Sequence, residues 1–182
     1  PSARDMELIA KLPDDSDDLL KRYGLKGFLK GMTSGPELRR EEVFVPTCTI
    51  CGLTAGYQGP GSKTVLPAQA SAKVDFRLVP DQTPQEILEK LRKHLDAEGF
   101  SDVEITYLGG EAPGRTDPDH PFVKLTLDAA REAYGQEPIV MPMIGGSCPN
   151  HVFLDTLKAP IVTAGVGYPG SQAHAPNENM VI

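Results

Sequence analysis

The sequence predicts a mixed α and β fold in two unequal parts: an incomplete ferredoxin-like α+β unit, then a segment of an α/β layer. Three observations carry that expectation. Apolar residues recur at every second position through much of residues 43–79, the period of a strand. A well-capped helical pattern and another strand pattern follow directly. Beyond the run Gly109-Gly110-Glu111-Ala112-Pro113-Gly114, helix and strand patterns alternate to the end. The expected boundaries are 1–110 for the first part, with 1–42 a variable helical portion, and 111–182 for the second.

In chain order, residues 1–40 read as peripheral helices and loop, with short helical patterns over Asp5 to Leu12 and Ser16 to Tyr23. Asp14, Asp15, Asp17 and Asp18 suit a helix N-terminus or a solvated face. Val43 to Gly56 and Thr64 to Val79 read as two strands joined through Gly56-Tyr57-Gln58-Gly59-Pro60-Gly61. On the second strand Ala70, Ala72, Val74, Phe76 and Leu78 form a core face, and Ser71, Lys73, Asp75 and Arg77 a polar one. Thr83, Pro84 and Glu86 then spell a capping box, worth about 1 kcal/mol or more. Ile87, Leu88, Leu91 and Leu95 make the buried stripe of that helix, and Gly99 lies past its end. Asp102 to Leu108 is expected as a third strand. In the second part a helix runs from Pro121 to Gly135. Strand Pro138 to Met143, a helix from Pro149 to about Leu157 and strand Ile161 to Val166 follow.

The chain has 182 residues, enough for one domain or two small ones with a core. A net charge of −7 offers no basic stripe for phosphates, which argues against a nucleic-acid partner. No apolar run approaches the roughly 20 residues of a membrane span, and no leader pattern is visible. Three cysteines do not make a disulfide framework, so a cytoplasmic protein is expected. The chain starts without Met and stops mid-pattern, which reads as a piece of something longer.

Several motifs admit two readings each. Cys48-Thr49-Ile50-Cys51 has redox spacing, but strand alternation would send its sulfurs to opposite faces, which favours structural cysteines. Gly56 to Thr64 nearly spells a phosphate loop. Ser62 interrupts the required Gly-Lys-Ser/Thr, and no helix follows, so nucleotide binding is rejected. Arg77 is either a surface partner of Asp75 or a fork for a substrate carboxylate; residue physics alone favours the first. Gly145-Gly146-Ser147, between a strand and a helix, is either tight-turn chemistry or a cradle of backbone N–H groups. Ser147 lacks a nucleophile elbow around it. His94 and His120 are expected at the solvent, and His151 in the first turn of its helix. His174, in the Gly- and Pro-rich run after the last strand, is either a solvated imidazole or a metal ligand.

Taken together, Gly59 to Ala68, Phe76-Arg77-Leu78-Val79-Pro80, Gly145 to Pro149 and Ala173-His174-Ala175-Pro176-Asn177-Glu178 resemble one family. It is the di-zinc metallopeptidase and amidohydrolase family of carnosine dipeptidase, aminoacylase and succinyl-diaminopimelate desuccinylase, in its dipeptidase-like branch. The resemblance implies a lid, or dimerisation, domain inserted into a catalytic zinc-exopeptidase domain. Residues 1–182 would then hold part of the lid and the C-terminal part of the catalytic domain. It implies two zinc ions per active site, with His174 as one ligand. Arg77 would grip the substrate's C-terminal carboxylate, Thr64 would lie near the substrate, and Gly145, Gly146 and Ser147 would line the pocket. A zinc-bridged water would attack the amide of a dipeptide or N-acyl amino acid, with a Glu as base, in a homodimer formed through the lid. The family's other metal ligands, its base and its lid histidine are missing from this sequence, so the chain by itself is expected to be inactive. The alternative is a non-catalytic dimerisation module that binds no metal.

Overall fold

The computed structural model describes residues 1–165 and 167–181. Helices dominate it: α1 Ala3–Ile9, α2 Ser16–Tyr23, α3 Gly35–Phe44, α4 Pro84–Ala97, α5 Pro121–Tyr134 and α6 Asn150–Thr156. Strands β1 Thr47–Ala55 and β2 Ala70–Arg77 form one antiparallel pair. The class is therefore mixed helix and strand, as the sequence predicts.

Several helices carry legible boundary chemistry. In α1 the Ser2 hydroxyl accepts from the Asp5 N–H, and the Asp5 carboxylate accepts from the Ser2 N–H at 2.7 Å. Thr83 and Glu86 close the same reciprocal box on α4. In α5 His120 caps through Nδ1, which accepts from the Phe122 N–H at 3.1 Å, and Gly135 ends the helix at φ +64°. Helix α3 is an element that the alternation in the sequence concealed. Val43 and Phe44, expected in the first strand, are its last turn. The signal was Pro46, which forces the preceding Val45 out of helical geometry, to φ −99° and ψ 126°. Only then can the strand start, at Thr47.

The β1–β2 register resolves the faces of the sheet. Cys48, Ile50, Leu53 and Ala55 pair with Phe76, Val74, Ala72 and Ala70, all on one face. Thr47, Thr49, Gly52 and Thr54 pair with Arg77, Asp75, Lys73 and Ser71 on the other. The bookkeeping works only because a bulge at Cys51 resets the alternation between Ile50 and Gly52. The apolar face, expected to be core, is open among the described residues: Ile50 is 66% exposed and Leu53 73%. The cysteines are not packed structural residues either, since Cys48, Cys51 and Cys148 are exposed free thiols.

Among the described residues, three further expected strands are not formed. Residues 102–108 build no ladder; the Phe100 and Val103 carbonyls instead accept from Arg92 at 2.9 and 2.6 Å. Residues 138–143 and 161–165 likewise pair with no strand, and Val166 lies outside the described residues. The Ile161 N–H goes to the Thr116 hydroxyl at 2.8 Å. Apolar alternation makes a strand only where a neighbour offers a matching row of backbone groups. Residues 64–69 also stay outside the ladder, which begins at Ala70, past Pro67 with its missing N–H.

The core sits where periphery was expected. Ile9 of α1 packs with Val43 and Phe44 of α3, joined by Met6, Leu12 and Met143. Beside it lies Asp5, 2% exposed, in an ion pair with Arg115. Arg115 also donates through Nε to the Pro142 carbonyl at 3.1 Å and lies 5.4 Å from the centroid of the Phe44 ring. Burial by itself would raise the Asp5 pKa; hydrogen bonds from Arg115 and Ser2 outweigh it and hold the carboxyl below the usual range. Arg39, also buried, reaches back from α3 to Asp15 and to the Pro13 carbonyl, and so fastens the turn between α1 and α2.

Arg115→Ala strands a buried carboxylate and is expected to cost about 2–4 kcal/mol, read as a lower urea midpoint. The folded-state Asp5 pKa lies below its unfolded value near 3.9. Its contribution is therefore fully present above that pH and disappears as pH falls through the lower folded value. Asp5→Asn should be less stable than wild type at neutral pH, and the gap should close on acidification in that window. A gap that stays constant across the window would show that Asp5 does not titrate with folding.

Candidate functional site

Strand β2 sets the polar face from which the site grows. Its last residue, Arg77, lies two positions after Asp75 on that face, with 2.8 Å between Arg77 Nε and Asp75 Oδ2. Arg77 Nη1 donates to the Ser147 hydroxyl at 2.5 Å, across 70 residues of sequence. Two residues singled out separately in the sequence thus meet. Both are exposed, so the pair faces solvent and is open to a ligand. Arg77 offers five N–H donors in a planar fork, and Ser147, accepting from Arg77, keeps its own O–H to donate.

Gly145 and Gly146 lead into Ser147 on an exposed stretch. Neither adopts a left-handed φ. A Cβ on Gly145 would meet nothing within 4 Å, and one on Gly146 only Ile144 Cδ1 at 3.8 Å. Folding alone does not require glycine at either position. Gly59 differs: a Cβ there would run into the ring of the exposed Tyr57, which would have to swing aside. In that loop Tyr57 donates to the Pro60 carbonyl at 3.2 Å, and Lys63 Nζ lies 5.8 Å from the Tyr57 ring centroid. Thr64, next along, is exposed and joined to Arg77 and Ser147 by no hydrogen bond among the described residues.

His174 is exposed, with φ +62° and its backbone N–H 3.4 Å from Glu178 Oε2. Gln172 and Asn177 are also left-handed, so the turn is strained by three non-glycine residues. Asn179 clasps it. Its N–H bonds the Ser171 carbonyl at 3.0 Å, its amide nitrogen the Asn177 carbonyl at 2.9 Å, and its side-chain oxygen the Tyr168 hydroxyl at 2.5 Å. Sequence reasoning missed this clasp, because nothing local marks an Asn whose side chain meets a tyrosine eleven residues back. No hydrogen bond or ion pair among the described residues joins this turn to Arg77 or Ser147. His94 and His120 are exposed, and His151 stands in the first turn of α6 with a buried, unpartnered Nδ1. Among the described residues no three His, Cys, Asp or Glu converge as a metal site. No helix among the described residues is long and apolar enough to cross a membrane.

Comparison with known proteins places this architecture in a family. Residues 5–103 match the peptidase dimerisation domain of the M20 family, and the chain belongs to that family. It is similar to the M20 family metallo-carboxypeptidase Sso-CP2 of Sulfolobus solfataricus, with 38% identity and a TM-score of 0.88; the match covers 99% of this chain and 41% of that one. The Cys-Gly metallodipeptidase DUG1 of Saccharomyces cerevisiae is 28% identical over 145 residues, which are 75% of this chain and 30% of that protein. The Beta-Ala-His dipeptidase of Rattus norvegicus is 23% identical over 74% of this chain and 28% of its own length. The chain therefore spans about 30% of the length of these two curated relatives.

Gly145→Ala is expected to leave stability unchanged or to raise it by up to about 1 kcal/mol, through reduced freedom of the unfolded chain. A loss of more than that in a thermal melt would show that the turn needs glycine for folding.

Proposed function

We propose that residues 1–182 serve a metal-dependent hydrolase that cleaves the amide bond of a dipeptide or N-acyl amino acid. Their part is to grip the C-terminal carboxylate of the substrate and to add one imidazole to the metal centre. The observation that carries this reading is the Arg77–Ser147 hydrogen bond, which builds a charged donor and a hydroxyl into one exposed corner. A carboxylate there accepts from the guanidinium, from the Ser147 O–H and from N–H groups bared by Gly145 and Gly146. The relatives' names add support, since two dipeptidases and a carboxypeptidase all act on substrates that end in a carboxylate. Thr64 is assigned a place near the substrate through the resemblance alone.

Two zinc ions do not fit the described residues by themselves, because His174 is a single donor and no cluster stands around it. The proposal therefore takes the remaining ligands from polypeptide outside residues 1–182, and the isolated chain is inactive. Zinc is the proposed metal because imidazole with carboxylate partners suits it. A boundary near residue 110 divides the lid part from the catalytic part, and the lid part pairs in a homodimer. Three exposed thiols suit a reducing compartment, so the cytoplasm is proposed as well. One observation favours the second reading, a pairing module without metal: the matched domain is the dimerisation domain, and its sheet has an open apolar face.

In the intact protein, Arg77→Ala should raise KM about 10- to 100-fold for a dipeptide with a free C-terminus, and far less for its amide. Equal effects on both substrates would make Arg77 a structural residue. His174→Ala should lower the metal content measured by mass spectrometry and abolish turnover with added zinc. Unchanged metal content and turnover would favour the pairing module.

A further inference from the structure

We propose that Asp75 is a positioning residue for Arg77, fixing the guanidinium so that its outer edge faces the substrate carboxylate beside Ser147. The inference rests on the reading of Arg77 as the carboxylate grip and deepens it. Asp75 and Arg77 share one face of a regular strand, so their spacing is set by the backbone. Opposite them stand Thr49 and Thr47, short side chains whose place in the register leaves the ion pair uncrowded. Asp75 Oδ2 lies 2.8 Å from Arg77 Nε, the inner nitrogen, while Nη1 is directed to Ser147. Nη2 has no hydrogen-bond partner among the described residues, and it is the nitrogen left for a ligand.

Both side chains are about half exposed, so the pair contributes little to folding. Its larger effect is on the freedom of a long, many-rotamer side chain that must meet a planar ligand edge-on. An opposing effect exists: Asp75 repels an incoming carboxylate. Lys73, next along the same face, offsets that repulsion from the other side. Positioning and repulsion move affinity in opposite directions, so the sign of one measurement decides between them.

The test is steady-state kinetics of the intact, metal-loaded protein on a dipeptide and on its C-terminal amide. Asp75→Asn should raise KM for the free acid about fivefold, with a much smaller change for the amide. Asp75→Glu should recover part of the loss. Asp75→Asn combined with Arg77→Ala should be no worse than Arg77→Ala alone, the non-additivity expected of residues acting as a unit. A lower KM for the free acid in Asp75→Asn, or equal rises for acid and amide, would overturn the proposal. If Arg77→Ala itself fails to separate acid from amide, the grip reading falls. If Arg77→Ala separates them and Asp75→Asn does not, only the role of Asp75 falls.

Discussion

The Asp5 carboxylate, almost without solvent, has to be paired, and Arg115 is what pairs it. That one guanidinium also holds the Pro142 carbonyl and lies against the Phe44 ring. Through it α1, the end of α3 and the segment before the Gly145-Gly146 stretch share a fixed point. Met143 packs onto the same cluster. The chain therefore enters Gly145 from an anchored residue, and Ser147 is delivered to Arg77 rather than left on a free loop.

The other half of the site depends on the pleat of a two-stranded sheet. Without the bulge at Cys51, Leu53 would turn onto the face that carries Lys73, Asp75 and Arg77. One extra residue keeps apolar side chains on one side and charges on the other. The charged side then presents Arg77 at the strand end, where a side chain can reach beyond the sheet. The apolar side stays open among the described residues.

Much of this was legible locally. The capping box at Thr83 and Glu86, Gly135 at the end of α5, and the alternation through Ala70 to Arg77 follow from side chains bonding or packing near their own backbone. Arg77, Ser147 and His174 were each legible as candidates, because their residue types and neighbours limit their chemistry. Residues 102–108 and 161–165 were misread for the opposite reason: alternation shows which face is apolar but not whether a partner strand is present. Helix α3 was missed because Val43, Phe44 and Val45 resemble a strand until Pro46 is given its full weight.

Amino-acid order alone settled the mixed fold class, the positions of five of the six α-helices and the short list of chemically capable residues, since these depend on contacts within a few positions. Tertiary structure alone decided that Arg115 neutralises Asp5, that Arg77 meets Ser147, and that the core lies between α1 and α3. Those contacts join residues up to 110 positions apart, and only the packed chain fixes which distant groups share a desolvated or facing surface.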